Sequence, residues 1–597
     1  MNNSHTFHIP VMGTAFTADT PLKVAQYGIN SVISIVDDVL LERLRKLYSE
    51  QYGYPYTEIL KSSKDYRADR ITSYLNLIND LSFKKFEEFT LSTKEKFDEI
   101  KKYFTLLPNS SQIKKDFLKR TAGVFSFEDL KVWLNNNLSM GSIDVNIMTK
   151  IDKTNYFKNE ELSVEYNDAH AALRGYAKSN LESSVIFSAG MNPRLYGYIG
   201  KFDDFYPDKD GYIKKKIVLK VSDYRSAIIQ GKFLAKKGLW VSEYRIESGL
   251  NCGGHAFATD GLLMGPILSE FRDCRKDLID QTYEVLEKAL NDTQRVVPND
   301  TLNIKITAQG GVGTAKEQSF LLDHYNLDSV GWGTPFLLVP EVTTVDNETR
   351  EKLLKAKEDD LYLSNVSPLG VPFNNLRNNS KDIEKVQKIN EGKPGSSCPR
   401  KFLALSNEYG TQGICTASRK FQKIKIKESN NNDSILLDKV FEKTCLCMGL
   451  AASAVVNNNI QVKESQFVSI CPGPNLAYFS KYMSLKEMSN QIYGMSKSIT
   501  RIDRPHMFLK ELDLYVNYFS DKLDRAAKNF NKKQERYCTK FLNNLNEGLD
   551  YYSFLFENIK IKFIQNKDVI LVDLDNHRDV LKKMAAELDS LINVESS

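Results

Sequence analysis

The residues of this chain that could do chemistry fall into three groups. In IESGLNCGGHAFATDG, Ile246 to Gly261, a cysteine, two adjacent glycines and a histidine follow an apolar run. An imidazole with an ordinary pKa of about 6.5 can accept or donate a proton near neutral pH. Gly253 and Gly254 beside His255 would let a bound molecule approach the backbone closely, and Cys252 reads either as its neighbour or as a buried, inert thiol. The second group is a pair of glycine clusters, AQGGVGTAKE around Gly310, Gly311 and Gly313, and GWGTPF around Gly333 and Thr334. The first opens directly into a helical pattern, which leaves backbone N–H groups free to face an anion at the positive end of a helix. A purely conformational reading, tight turns with positive φ, stays open for the same glycines.

The third group is five of the eight cysteines: Cys398, Cys415, Cys445, Cys447 and Cys471. Converging thiolates hold zinc or an iron–sulfur cluster. No C-x-x-C pair is present, so the compact zinc patterns do not fit. The Cys-Pro steps at Cys398 and Cys471 suit iron–sulfur ligation, where proline often follows a ligand cysteine. A [4Fe–4S] cluster, a zinc ion and unligated thiols all remain readings of this set.

These groups need elements to position them. Eight short β-type runs recur: HIPVMG (8–13), NSVISIVDD (30–38), IDVNIMTK (143–150), SVIFSAG (184–190), KIVLKVSD (216–223), LWVSEYRIES (239–248), NIKITAQGG (303–311) and DSVGWGT (328–334). Between most of them lies one amphipathic, helix-length segment, which argues for a parallel sheet covered on both faces. Eight such units close into a (β/α)8 TIM barrel of the α/β class. The barrel takes residues 1–38 and 141–345. It is interrupted after the second strand by residues 39–140, whose apolar positions fall at helical spacing and are expected to form an all-helical cap. Residues 346–480 form a loop-rich module carrying the cysteines, and 481–597 are long helical segments. In a barrel, ligands bind at the C-terminal ends of the strands, with phosphates often held after strands seven and eight. His255 follows the sixth strand and the glycine clusters follow the seventh and eighth, so all would share one face.

Composition excludes other classes. With 42% apolar and 26% charged residues the chain is globular in type, and no run of about 18 uncharged apolar residues stands out as a membrane span. A net charge of +5 on 597 residues decides nothing, and the basic clusters are interleaved with acids, so no nucleic-acid partner is expected. The N-terminal MNNSHTFHIPVMG lacks the pattern of a secretory leader, and a cytoplasmic location with reduced cysteines follows as the expectation.

The order IVLKVSD, SEYRIESGLNCGGH, ITAQGGVGT, DSVGWGTPFL, with IPVMG and VNIM ahead of it, resembles the FMN-dependent barrels of the nitronate monooxygenase (2-nitropropane dioxygenase) family and their flavin enoyl reductase relatives. The resemblance covers a little over a third of the chain; the helical insertion, the cysteine module and the extra LNC before the glycines depart from it. It implies FMN, with its phosphate on Gly310, Gly311, Gly313, Gly333 and Thr334 and its ring near Met12, Gly13, Asn146 and Lys220. It also implies that His255 is the base acting on substrate. GGHAFATDGLLMGPILSEFRD is similar to the trans-acting enoyl reductases of polyunsaturated fatty-acid synthases, which implies an acyl substrate and an NAD(P)H or redox-protein electron donor. Three functions are therefore carried forward. They are a flavin oxidoreductase on a small or acyl substrate, with an iron–sulfur cluster as electron relay if the cysteines ligate one; an enoyl reductase in fatty-acid or polyketide synthesis; and a non-catalytic barrel serving as a binding scaffold.

Overall fold

A computed structural model describes residues 5–188, 190–429, 434–528, 530–560, 563–564 and 566–596. Eight strands, β1 (Phe7–Ile9), β2 (Asn30–Ser34), β3 (Ile143–Met148), β4 (Ser184–Ser188), β5 (Lys216–Val221), β6 (Val241–Glu247), β7 (Lys305–Gln309) and β8 (Ser329–Gly331), close into a barrel. Every neighbouring pair is parallel, and β1 completes the circle by pairing with both β2 and β8. The eight strand expectations and the barrel hold.

The strands are not uniformly apolar, and their alternation sets the interior. Because strand side chains alternate with period two, β3 turns Val145 and Ile147 outward to the helices while Asp144 and Asn146 go inward. In the same way Glu243, Arg245 and Glu247 of β6 and Thr307 and Gln309 of β7 face the axis. Low in the barrel Arg245 pairs with Glu243 at 2.7 Å, and Thr307 Oγ1 donates to the same carboxylate at 2.6 Å. These buried charges are paired, as burial requires. The higher members, Asn146, Lys220, Glu247 and Gln309, line a cavity at the C-terminal mouth.

The insertion is helical, as expected: Asp38–Tyr52, Tyr66–Leu91, Phe97–Leu106, Gln112–Arg120 and Phe127–Asn137. It does not cap the barrel. Its long helix Tyr66–Leu91 lies beside the barrel helix Asp168–Ala177, so close at Gly175 that a Cβ there would come within 2.8 Å of Ala68 O. No residue of 39–140 lines the mouth cavity. The physical reason is local. Asp37 caps the first helix through Leu40 N, and Asp38 binds Arg67 at 2.8 Å and Arg70 at 3.0 Å, which folds the helices down the flank of the barrel.

The roof comes from the second module. After the barrel closes, a hairpin (Leu361–Ser364 with Phe373–Leu376), the loop 391–418 and the helix Leu446–Asn457 run across the mouth. The segment Leu437–Asn457 has the length and composition of a bilayer span, but it is broken at 443–445 and its second half is buried in the core at Leu446, Ala451 and Ala454. The C-terminal helices Met507–Ala527 and Lys532–Asn558 pack against the barrel helix Met264–Asp273, and Lys567–Ser596 packs on those two. One continuous apolar cluster joins barrel, insertion, module and C-terminal helices.

Candidate active site at the barrel mouth

The cavity has a volume of about 470 Å³, inside the range of roughly 300–1,000 Å³ usual for small-molecule sites. Met12, Gly13, Asn146, Lys220, Gly253, Gly254, His255, Gly310, Gly311, Gly333 and Thr334 all line it. The alternation of the strands and the shared C-terminal face bring these residues together from six places in the chain. Gly313 is the exception.

The loop after β7 explains why. Gly310 and Gly311 have φ of +135° and +75°, and a Cβ on Gly311 would sit 2.0 Å from Asn251 Nδ2, so only glycine fits there. Asn475 Nδ2 and Arg504 Nη2 donate to the carbonyls of Val312 and Gly311 at 2.9 and 2.5 Å, gripping the loop from behind. The N–H groups of Gly311 and Val312 face no protein acceptor among the described residues. Gly313 and Thr314 instead donate to Glu317 Oε2, at 2.9 and 3.1 Å, inside the capping box that starts the helix Ala315–His324. Gly313 is therefore removed from the anion cradle: its amide is taken, and the Arg504 guanidinium occupies the space beside its Cα.

The other glycine pair has a different duty. Gly254 N donates to Cys471 O at 3.1 Å, and a Cβ on Gly253 would lie 2.5 Å from the same oxygen. Gly253 is small so that the returning second module, rather than a ligand, can cross close to it, whereas Gly254 has open space beside its Cα and a φ of +80°. That module also holds His255, whose Nε2 is 2.7 Å from Ser367 Oγ and whose ring meets Phe373 edge-on at 4.9 Å. Burial, with a smaller contribution from the positive charge of Lys150, lowers the His255 pKa to about 4. The ring is neutral at pH 7, a weak base but a competent hydrogen-bonding group.

Five buried polar atoms in this one cavity lack a protein partner: Thr14 Oγ1, Asp37 Oδ2, Asn146 Oδ1, Asn251 Oδ1 and Gln309 Oε1. Each orphaned group costs about 1–3 kcal/mol, and buried polar atoms in folded proteins are nearly always satisfied. Their concentration at the mouth marks a place built for a polar ligand. Around them, Lys220 Nζ binds Glu247 Oε2 at 2.6 Å, Arg400 of the second module binds Asp37, and the buried thiol of Cys252, its pKa pushed up by burial, lies 3.5 Å from Gln309 O. The opposite wall is apolar: Phe402, Leu403, Leu446 and Leu450.

The cysteines do not form one ligand set. Cys398 and Cys415 hydrogen-bond to each other, which helps hold the Cys398 pKa at about 7. Cys445 is buried and Cys447 half-buried, and desolvation pushes both thiols up. Cys471 lies at the cavity, beside Gly254 and Gly13, and Cys447 lines it too. Among the described residues no three His, Cys, Asp or Glu side chains are disposed to hold a metal ion, so the iron–sulfur and zinc readings have no donor set here. Asn251, Gln309, Lys150, Asp37 and the apolar wall were not singled out from sequence. Gln309 was within reach, since the alternation of KITAQ turns it inward with Thr307, whereas the wall residues come from a distant segment with no local signal.

No family model and no curated protein matches the sequence. Among solved structures, the chain is similar to FabK from Thermotoga maritima, at 15% identity over 67% of this chain and 86% of that one with a TM-score of 0.30. It is also similar to the enoyl reductase domain of MlnA from the macrolactin biosynthesis cluster from Bacillus amyloliquefaciens, at 13% identity over 72% and 90% with a TM-score of 0.31.

Proposed function

We propose that this protein is an FMN-dependent oxidoreductase whose flavin lies in the barrel-mouth cavity. The observation that carries the reading is the cavity's donor and acceptor set: unpaired loop amides at Gly311 and Val312 and orphaned Asn146 Oδ1 and Gln309 Oε1. A phosphate suits the amides, and a ring edge rich in N–H and C=O suits the side-chain carbonyls and Lys220. When bound, FMN would supply reversible acceptance and release of two electrons as hydride. The chain's own residues would orient and enclose. Met12 and Gly13 border the ring site, and the second module excludes water. Neutral His255, fixed by Ser367, offers a ring nitrogen to a substrate oxygen rather than acting as a strong base.

A scaffold without a ligand leaves the five orphaned atoms unexplained. For substrate, the apolar wall of Phe402, Leu403, Leu446 and Leu450 favours an acyl chain over a small nitroalkane. The reaction would then be reduction of a conjugated C=C bond, with NAD(P)H and a proton consumed and NAD(P)+ and the saturated acyl group released. The test is spectroscopic. Purified protein should be yellow, with flavin bands that bleach anaerobically on adding NAD(P)H and return on adding an enoyl thioester. A colourless protein that takes up no added FMN refutes the reading. Anaerobic bleaching of the oxidised flavin by an alkyl nitronate, with no return of the bands when an enoyl thioester is added to the reduced protein, refutes the acyl substrate alone.

A further inference from the structure

A second cavity, of about 490 Å³, lies in the cysteine module behind the roof of the first. Its charged lining is Lys381, Lys388, Arg419, Lys463, Glu384 and Glu464. The two carboxylates are already committed: Glu384 to Lys381 at 2.5 Å and to Lys388, Glu464 to Arg43 and Arg400 at 3.0 Å each. Arg419 and Lys463 have no carboxylate partner among the described residues, and Arg419 Nε is buried with no hydrogen-bond acceptor. Arg419 is moreover the first residue of the helix Arg419–Glu428, whose first turn holds no acid. A cation at the positive end of a helix is disfavoured, and a buried guanidinium nitrogen without an acceptor more so. Both penalties vanish if an anion sits in the cavity, where the helix end, the guanidinium fork and an ammonium would converge on it.

We propose that this cavity binds a phosphate group through Arg419 and Lys463. A single anion needs far less than 490 Å³, since one water takes about 30 Å³ of the liquid, so the space favours a phosphate monoester carried on a small organic body over the free ion. The site adjoins the first cavity. Met448 lines one and Cys447 the other, and Glu464 reaches Asp37 through Arg400. The proposal does not rest on the flavin reading.

The experiment is calorimetric titration of the full-length protein with inorganic phosphate and, separately, with AMP as a monoester probe. Saturable binding is expected, weakened at least ten-fold in Arg419→Gln/Lys463→Gln and partly retained in Arg419→Lys. An unchanged melting temperature of the double variant in phosphate-free buffer excludes misfolding. AMP binding tighter than phosphate identifies the monoester; phosphate binding with AMP excluded identifies the free ion, with the site intact. No saturable binding of either probe, or equal binding by the double variant, overturns the proposal. A colourless protein that still binds phosphate at this site would overturn only the flavin reading.

Discussion

Glu511 shows how much one residue far along the chain bears on the site. It is fully buried on the helix Met507–Ala527, where Ser248 Oγ donates to it at 2.5 Å, Met264 N at 2.9 Å and Tyr552 Oη at 3.0 Å. Among the described residues no cation compensates it, and burial raises its pKa to about 7 despite these three donors. A carboxyl raised from the ordinary 4.5 binds its proton more tightly in the folded state. Its contribution is therefore fully present below about pH 4.5, is lost as pH rises toward 7, and levels off above that. The span is worth at most about 3 kcal/mol. Urea unfolding at pH 5 and pH 8 should show wild type losing stability across this interval, with the loss reduced in Glu511→Gln; parallel losses would assign the effect to other groups. At the cavity itself, His255→Ala should lower turnover by about 10²-fold or more with flavin still bound. Since the ring is already neutral at pH 7, turnover should show no His255-dependent inflection between pH 6 and 8.

At the level of elements, the loop after β7 and the start of the C-terminal helices form one unit. Arg504 donates to Glu317 Oε1 at 2.8 Å while Glu317 caps its own helix, so a fully enclosed ion pair joins the barrel to the segment 501–507. Removing one partner of such a pair strands the other charge, which typically costs 3–5 kcal/mol. Arg504→Met should destabilise by about that amount and loosen flavin, and adding Glu317→Gln should recover part of the loss, as read by urea midpoints and bound-flavin absorbance. Gly311→Ala acts on the same loop from within: strained at φ +75° and set against Asn251, it should lose FMN while circular dichroism stays that of wild type.

For the whole molecule, the shared core predicts that the segments do not unfold separately. Calorimetry should give one transition, and limited proteolysis should yield no stable barrel of residues 1–345, because Phe402, Leu446 and Phe508 complete a core that the barrel leaves open. A protease-resistant barrel fragment that keeps flavin would contradict this.

The sequence by itself determined the local and periodic features. Eight apolar runs with polar or glycine exits specify parallel strands, because a strand needs only five or so neighbouring residues to declare itself. A histidine after the sixth strand and glycines after the seventh and eighth then share the mouth by the geometry of any such barrel. What only the tertiary structure decided is which groups are spent and which are free. Gly313 reads like Gly311 in sequence, yet its amide belongs to Glu317. Gly253 and Gly254 look like a ligand cradle, yet Cys471 lies against them. The insertion looks like a cap, yet Asp38 and two arginines lay it along the flank, and residues past 346 make the roof instead. The five cysteines, dense in sequence, are split between the module and the cavity. Apart from Glu317, which lies only four residues from Gly313, the deciding partner is tens to hundreds of residues away, and a hydrogen bond or a close backbone approach at that separation leaves no periodicity for a local reading to find.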